Sequence, residues 1–134
     1  MSRKSARINA FSLLYQMNAT GESAQDTLAL FYEENPDLSD TDKEYIDNVV
    51  NGTSYHLEQI DELIEKNLKN WTLQRVAKVN LALLRLGIYE ILYRSDIPVS
   101  VTVNEIVELS KTYDDEKGGK FVNGVLGSVS KEFS

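Results

Sequence analysis

The 134-residue chain contains no cysteine, one histidine, one tryptophan and only two prolines. The absence of cysteine removes disulfides, thiolate zinc sites and thiol nucleophiles together, and it fits a reducing compartment without requiring one. Any histidine-based site would rest on His56, which sits among Ser54, Tyr55, Leu57 and Glu58 in an acidic segment. A surface or half-buried structural role is the expectation there. The start, Met-Ser-Arg-Lys-Ser-Ala-Arg, is basic, but no apolar stretch follows it, so no secretory signal is read. There is no long hydrophobic run either. The most apolar stretch, Val76 to Leu92, is interrupted by Lys78, Asn80, Arg85 and Glu90 and falls short of the roughly 20 residues that cross a bilayer. The P-loop pattern is missing. Asp114-Asp115-Glu116 lacks the alternating ligands and central glycine of a calcium loop and reads as a solvated loop. These absences together predict a cytoplasmic non-enzyme with no cofactor, no metal and no membrane partner.

What is present suits one globular domain or two closely packed halves. The chain is 42% hydrophobic and 26% charged, enough to build a core without a covalent staple. Its net charge of −7 argues at first against nucleic acid, because phosphate binding needs local positive charge. The charge is unevenly spread, however. Residues 1–21 carry Arg3, Lys4 and Arg7 and no acid, residues 22–65 carry Lys43 as their only cation among many acids, and residues 66–134 are slightly basic. Acidity in one block leaves room for a basic surface elsewhere.

Apolar residues recur at helical spacing almost throughout, which predicts an all-α fold. A first helix is expected from about Arg3 to Asn18, and a second from the cap Ser23 to Glu34, stopping before Pro36. Thr41 and Glu44 read as a capping box, opening a helix that extends to Leu68 with a kink or break at Gly52. The helix from Leu73 to about Arg94 is apolar on nearly every side and should be central and buried. Val99, Val101 and Val103 alternate like a strand, but Ile106, Val107 and Tyr113 continue a helical pattern, so a helix from about Val101 to Tyr113 is predicted. A polar loop from Asp114 to Gly119 and a last helix from Lys120 to Lys131 complete a bundle whose halves meet near Leu68–Thr72.

The first helix holds the most chemical information. At about 100° per residue, Arg3, Lys4 and Arg7 line up with Phe11, Leu14 and Tyr15, so one stripe turns from basic to apolar. Unpaired cations are too costly to bury, so the basic turns must stay outside the core or meet anions. They also oppose the helix dipole. Either they pair with the acidic block or they grip a phosphate backbone. Tyr15, near this stripe, either packs in the core or stacks on an unpaired base, and the same choice holds for Phe121. Gly118-Gly119 ahead of Lys120 is either a flexible connection or a set of exposed amides that holds a phosphate with Lys117 and Lys120.

Four blocks then carry a resemblance. Leu84-Arg-Leu-Gly-Ile-Tyr-Glu90, Asp96-Ile-Pro98, Val103-Asn-Glu105 with Val107-Glu-Leu109, and Lys120-Phe-Val-Asn-Gly-Val-Leu126 resemble the NusB family in order and spacing, and Ala6-Arg7 with Leu14-Tyr15 resembles its first helix. The resemblance covers essentially the whole chain. It implies an all-α, NusB-like helical bundle of two packed three-helix-type subdomains, residues 1–70 and 71–134. It implies pairing with the small-subunit ribosomal protein NusE and binding of single-stranded boxA RNA in nascent ribosomal transcripts. Other Nus factors and RNA polymerase would be met indirectly.

The same domain also occurs fused to RNA methyltransferases; a chain ending at Ser134 is expected to be the free-standing form. By position, Arg3, Lys4, Arg7 and Tyr15 match the family's basic helix, and Lys117, Lys120 and Phe121 lie in its RNA-facing loop. Ser2 and Ser5 stand where richer members carry arginines. Asn123 and Glu105 are expected to satisfy backbone groups, and Arg85 to pair with a carboxylate. The competing expectation is a helical adaptor that binds only protein. Whether the free chain forms a homodimer, and which face meets NusE, stay open beyond the exposed parts of the helices flanking Trp71.

Overall fold

The computed structural model describes residues 2–69 and 71–133. Among them are seven α-helices: α1 (Arg3–Thr20), α2 (Ala24–Glu34), α3 (Asp40–Tyr55), α4 (Leu57–Lys66), α5 (Lys78–Tyr93), α6 (Val99–Tyr113) and α7 (Glu116–Phe133). A single 3-10 turn, Leu73–Arg75, lies between α4 and α5. No described residue is in a strand, and no described helix is long and apolar enough to cross a membrane.

Short polar residues start the first three helices. The side chains of Ser2, Ser23 and Ser39 accept hydrogen bonds from the backbone N–H of Ser5, Asp26 and Asp42 respectively. Gly21, with φ of 78°, closes α1 in the left-handed conformation that a side chain would resist. The expected capping box at Thr41 is not used. Ser39 caps instead, which places Asp40 and Asp42 in the first turn where the helix dipole favours them and frees Glu44 for another partner.

The long helix predicted beyond residue 41 breaks at His56, not at Gly52. The hydrogen-bond ladder passes through the bend, from His56 N–H to Gly52 O and from Ile60 N–H to His56 O, each at 2.9 Å. Gly52 serves a different purpose. A Cβ there would fall 2.3 Å from ring atoms of Tyr89, so the missing side chain lets α3 approach α5. Three starts also differ from expectation. Leu73 opens a 3-10 turn, α5 begins at Lys78, and α6 begins at Val99 directly after Pro98. Proline's fixed φ suits a position at a helix entrance.

The central helix is α5, which packs against α1, α3, α4, α6 and α7. Leu83, Leu84, Leu86 and Ile88 on it are completely buried, which is why its sequence is apolar all round. The helices α6 and α7 pack on each other and on α5, while α2 covers α1 and α3. One continuous cluster of buried apolar residues runs from Ala6 in α1 to Val129 in α7. The expected dividing point, residue 70, lies outside the described residues.

Candidate nucleic-acid interface

The tip of α1 is built around a buried carboxylate. Glu90 of α5 has no exposed surface and accepts from Arg7 Nε at 2.9 Å and Arg7 Nη2 at 3.0 Å. It also accepts from Thr102 Oγ1 at 2.7 Å and from the Tyr45 hydroxyl. Burial works against the charge on Arg7, but the hydrogen bond and charge of Glu90 outweigh it and hold the guanidinium above its ordinary pKa. Tyr45 is pushed well above the usual phenol range, first by burial and then by the Glu90 charge.

Arg7 is therefore not an exposed cation: only 2% of it meets solvent. The expectation that it grips phosphate is corrected by a physical fact that the stripe alone did not show. The carboxylate it needed lies on the central helix, not in the acidic block. Arg3 lies over the Tyr45 ring at 4.5 Å and is partly buried. Lys4 keeps 65% of its side chain exposed, with Glu105 3.9 Å away.

Glu105 of α6 meets both Lys4 and Arg7, and Tyr113 at the other end of α6 packs on Phe11 with ring centroids 5.3 Å apart. The helices α1 and α6 thus run in the same sense along a shared seam. Tyr15 is one turn beyond Phe11 and 41% exposed, and Tyr113 is 48% exposed. The seam carries cations at its start and two accessible aromatic rings roughly 16 Å further on, at the 1.5 Å rise of a helix. Tyr113 escaped the sequence reading because it looked like the last core position of α6. Glu90 escaped too, although a lone acid in an apolar helix and a lone arginine in an apolar stripe are complementary signals.

Past Tyr113 the chain turns at once into α7. Here a second expectation is corrected: Gly118 and Gly119 are neither a flexible loop nor a phosphate cradle. They lie inside the first turns of α7 and are buried. Asp115 Oδ1 already accepts from the Gly118 N–H at 2.7 Å, so a carboxylate occupies the helix N-terminus. A Cβ on Gly118 would meet Asp114 Oδ2 at 2.1 Å, and one on Gly119 would meet the Lys111 side chain at 2.7 Å. These glycines allow α6 and α7 to close on each other. Asp114 accepts from Asn80 at 3.0 Å, and Asn80 accepts from Ser110 at 2.7 Å, which ties the turn to α5.

Lys117 and Lys120 project from this turn, exposed, and no described carboxylate pairs with either. Phe121 is partly buried and packs against the half-exposed Trp71, with centroids 6.3 Å apart. Lys117 and Phe121 share a groove of about 450 Å³ with Trp71, Arg75, Asn80 and Asp115. Of the predicted residues, Lys117, Lys120 and Phe121 come together at the α6–α7 turn, Tyr15 lies on the seam leading to it, and Arg3 and Lys4 lie at the seam's far end.

Arg85 pairs with Asp61 through two contacts of 2.8 Å and adds a bond to Asn18. Glu105 serves side chains of α1 instead of backbone groups. Asn123 is exposed on α7 and its side chain forms no hydrogen bond with a described residue, so the backbone-satisfying role expected for it is corrected. His56 stacks on Tyr93 at 4.3 Å, a packing role at the α3–α4 bend.

The residue pattern of the NusB family matches residues 4–131. A transcription antitermination protein NusB from Acetivibrio thermocellus is 45% identical over 131 residues, spanning 98% of this chain and 90% of that protein. A crystal structure of the antitermination factors NusB and NusE in complex with double-stranded RNA is similar at a TM-score of 0.88 and 36% identity, covering 98% of this chain and 97% of the other. NusB of T. maritima is similar at a TM-score of 0.90 and 34% identity, covering 98% and 92%.

Proposed function

The chain belongs to the NusB family, and from that premise we propose that it is an RNA-binding transcription antitermination factor that pairs with ribosomal protein NusE and holds single-stranded boxA RNA of nascent ribosomal transcripts. It works in the cytoplasm, and it reaches RNA polymerase and the other Nus factors through the assembly it joins. The observation that carries this reading is the pair Lys117 and Lys120, unpaired with any described carboxylate and set beside Phe121 at the end of a seam bearing Tyr15 and Tyr113. Free cations take phosphates, and accessible rings take unpaired bases.

Each component has a distinct task. Lys117, Lys120 and Lys4 attract the backbone, with Arg3 contributing from its place over the Tyr45 ring. Tyr15, Tyr113 and Phe121 offer faces on which splayed bases stack, a mode that suits single strands because every base has a π-face. Arg7 acts from beneath by fixing α1 to Glu90 so that Lys4 and Tyr15 keep their places. A net charge of −7 weakens RNA binding by the chain alone, so NusE supplies much of the affinity.

The test is a gel shift with boxA-like RNA, with and without NusE, over a salt series. Binding should fall steeply with salt, and Lys117→Ala with Lys120→Ala should lower the slope by about 1.4, two phosphates on a single strand. RNA binding in neither mixture would overturn the reading in favour of a protein adaptor.

A further inference from the structure

The rings of Trp71 and Phe121 stand between two grooves. One is the groove described above. The other, of about 570 Å³, runs between Asn67, Leu68, Lys69 and Trp71 on one side and the outer face of α7 on the other. Its cations are Lys69, Lys120 and Lys131, it contains no carboxylate among its described lining residues, and no described carboxylate pairs with these lysines. In a chain of net charge −7 this concentration of one sign stands out. Lys120 and Lys131 lie on one face of α7, about 16 Å apart by helical rise. Between them Gly124 and Gly127 lie on the floor with Asn123, Val125 and Ser128, and Ser128 Oγ donates to Asn67 Oδ1 at 2.6 Å from one side of the groove to the other.

Those glycines are informative because nothing in the fold asks for them. A Cβ at either would have no neighbour within 4 Å, in contrast to Gly118 and Gly119 nearer the start of the helix. A glycine inside a helix costs about 1 kcal/mol relative to alanine. Two such positions in one groove, flanked by lysines, remove side chains where a ligand backbone would approach. Asn123 adds a solvent-exposed side-chain amide on the same rim, and Trp71 is 54% exposed.

We propose that this groove continues the RNA track: a single strand leaving the Lys117–Phe121 site stacks a base on Trp71 and lays its next phosphates along α7 between Lys120 and Lys131, with Lys69 on the opposite bank. About three nucleotides fill that length. The proposal rests on the RNA-binding reading above and extends it beyond the α6–α7 turn. Positive lining without described carboxylates, a floor lowered at two glycines and an aromatic platform match a nucleic-acid strand better than a protein surface.

The single tryptophan makes the test direct. The full chain, alone and with NusE, is titrated with a boxA-like RNA and with the same RNA lengthened by four uridines at one end or the other. Trp71 emission should be quenched by one of the lengthened RNAs and much less by the short one. Lys69→Ala with Lys131→Ala should lower the salt slope for that lengthened RNA by about 1.4 and leave the short RNA unchanged. Trp71→Ala should weaken the lengthened RNA about tenfold, with circular dichroism checking the fold. Equal behaviour of variant and parent on every RNA, with no quenching, overturns the track and leaves the α6–α7 site standing. A change in Trp71 emission on adding NusE without RNA also overturns it, because the groove is then a protein interface. Failure of the parent to bind any RNA overturns both readings together.

Discussion

The first turns of α1 and of α7 each carry cations in sequence, yet they end in opposite states. At α1, Arg7 is consumed by Glu90, Arg3 is drawn over Tyr45, and Lys4 leans toward Glu105. At α7, Lys117 and Lys120 point to solvent with no described carboxylate partner. Positive charge written in a sequence is therefore not the same as positive charge available to a ligand. The deciding factor is whether the fold brings a carboxylate underneath. It does so for the arginines Arg7, Arg85 and Arg94, whose planar forks suit two-point pairing, and not for Lys117 and Lys120.

The sharpest way to break this contrast is to remove a partner from the buried side. Arg7→Ala strands the Glu90 carboxylate in the core and should destabilise the fold by about 3–5 kcal/mol in denaturant unfolding. A loss below about 1 kcal/mol would mean that Arg7 is exchangeable with solvent and rejoins the exposed cations.

Tyr45→Phe probes the same cluster more gently. Losing a hydrogen bond to a charged group should cost about 1.5–3 kcal/mol at neutral pH. The phenol's pKa is raised in the folded state, so its contribution is complete below the unfolded value near 10 and is lost as pH rises beyond it. The variant should flatten that alkaline decline in stability. Asp96, held below its usual pKa by the Arg94 hydrogen bond, acts in the other sense and loses its contribution as pH falls through the carboxylate range.

The glycines of α7 sharpen the comparison within one helix. Gly118→Ala should cost about 1–3 kcal/mol through overpacking against Asp114. Gly124→Ala, facing open space, should instead stabilise the helix by about 0.5–1 kcal/mol, read as a rise in Tm. The smallest effect is expected at the exposed cations. Lys117→Ala with Lys120→Ala should leave stability within about 0.5 kcal/mol while changing the salt slope for RNA. A large loss of stability there would show that these lysines have hidden partners.

Much of the architecture was legible in residue order. Apolar spacing located the helices, Ser23 marked the start of α2, and the all-round apolar character from Leu73 to about Arg94 announced the central helix. Boundaries were less legible where two caps competed, as with Ser39 and Thr41, or where a turn looked like a loop, as at Asp114–Gly119. In the candidate site, the grouping of Lys117, Lys120 and Phe121 was readable because charge and an aromatic ring cluster in sequence. Tyr113 and the Glu90 hub were not, since their meaning depends on contacts with α1.

Sequence alone determined that this is a helical protein with its excess of acid in residues 22–65 and a slight excess of base on either side, because periodicity and charge are properties of neighbours along the chain. Only the tertiary structure decided which cations stay free and which glycines are packed. Both depend on residues as far apart as Arg7 and Glu90, and a local pattern carries no information about what will be folded against it.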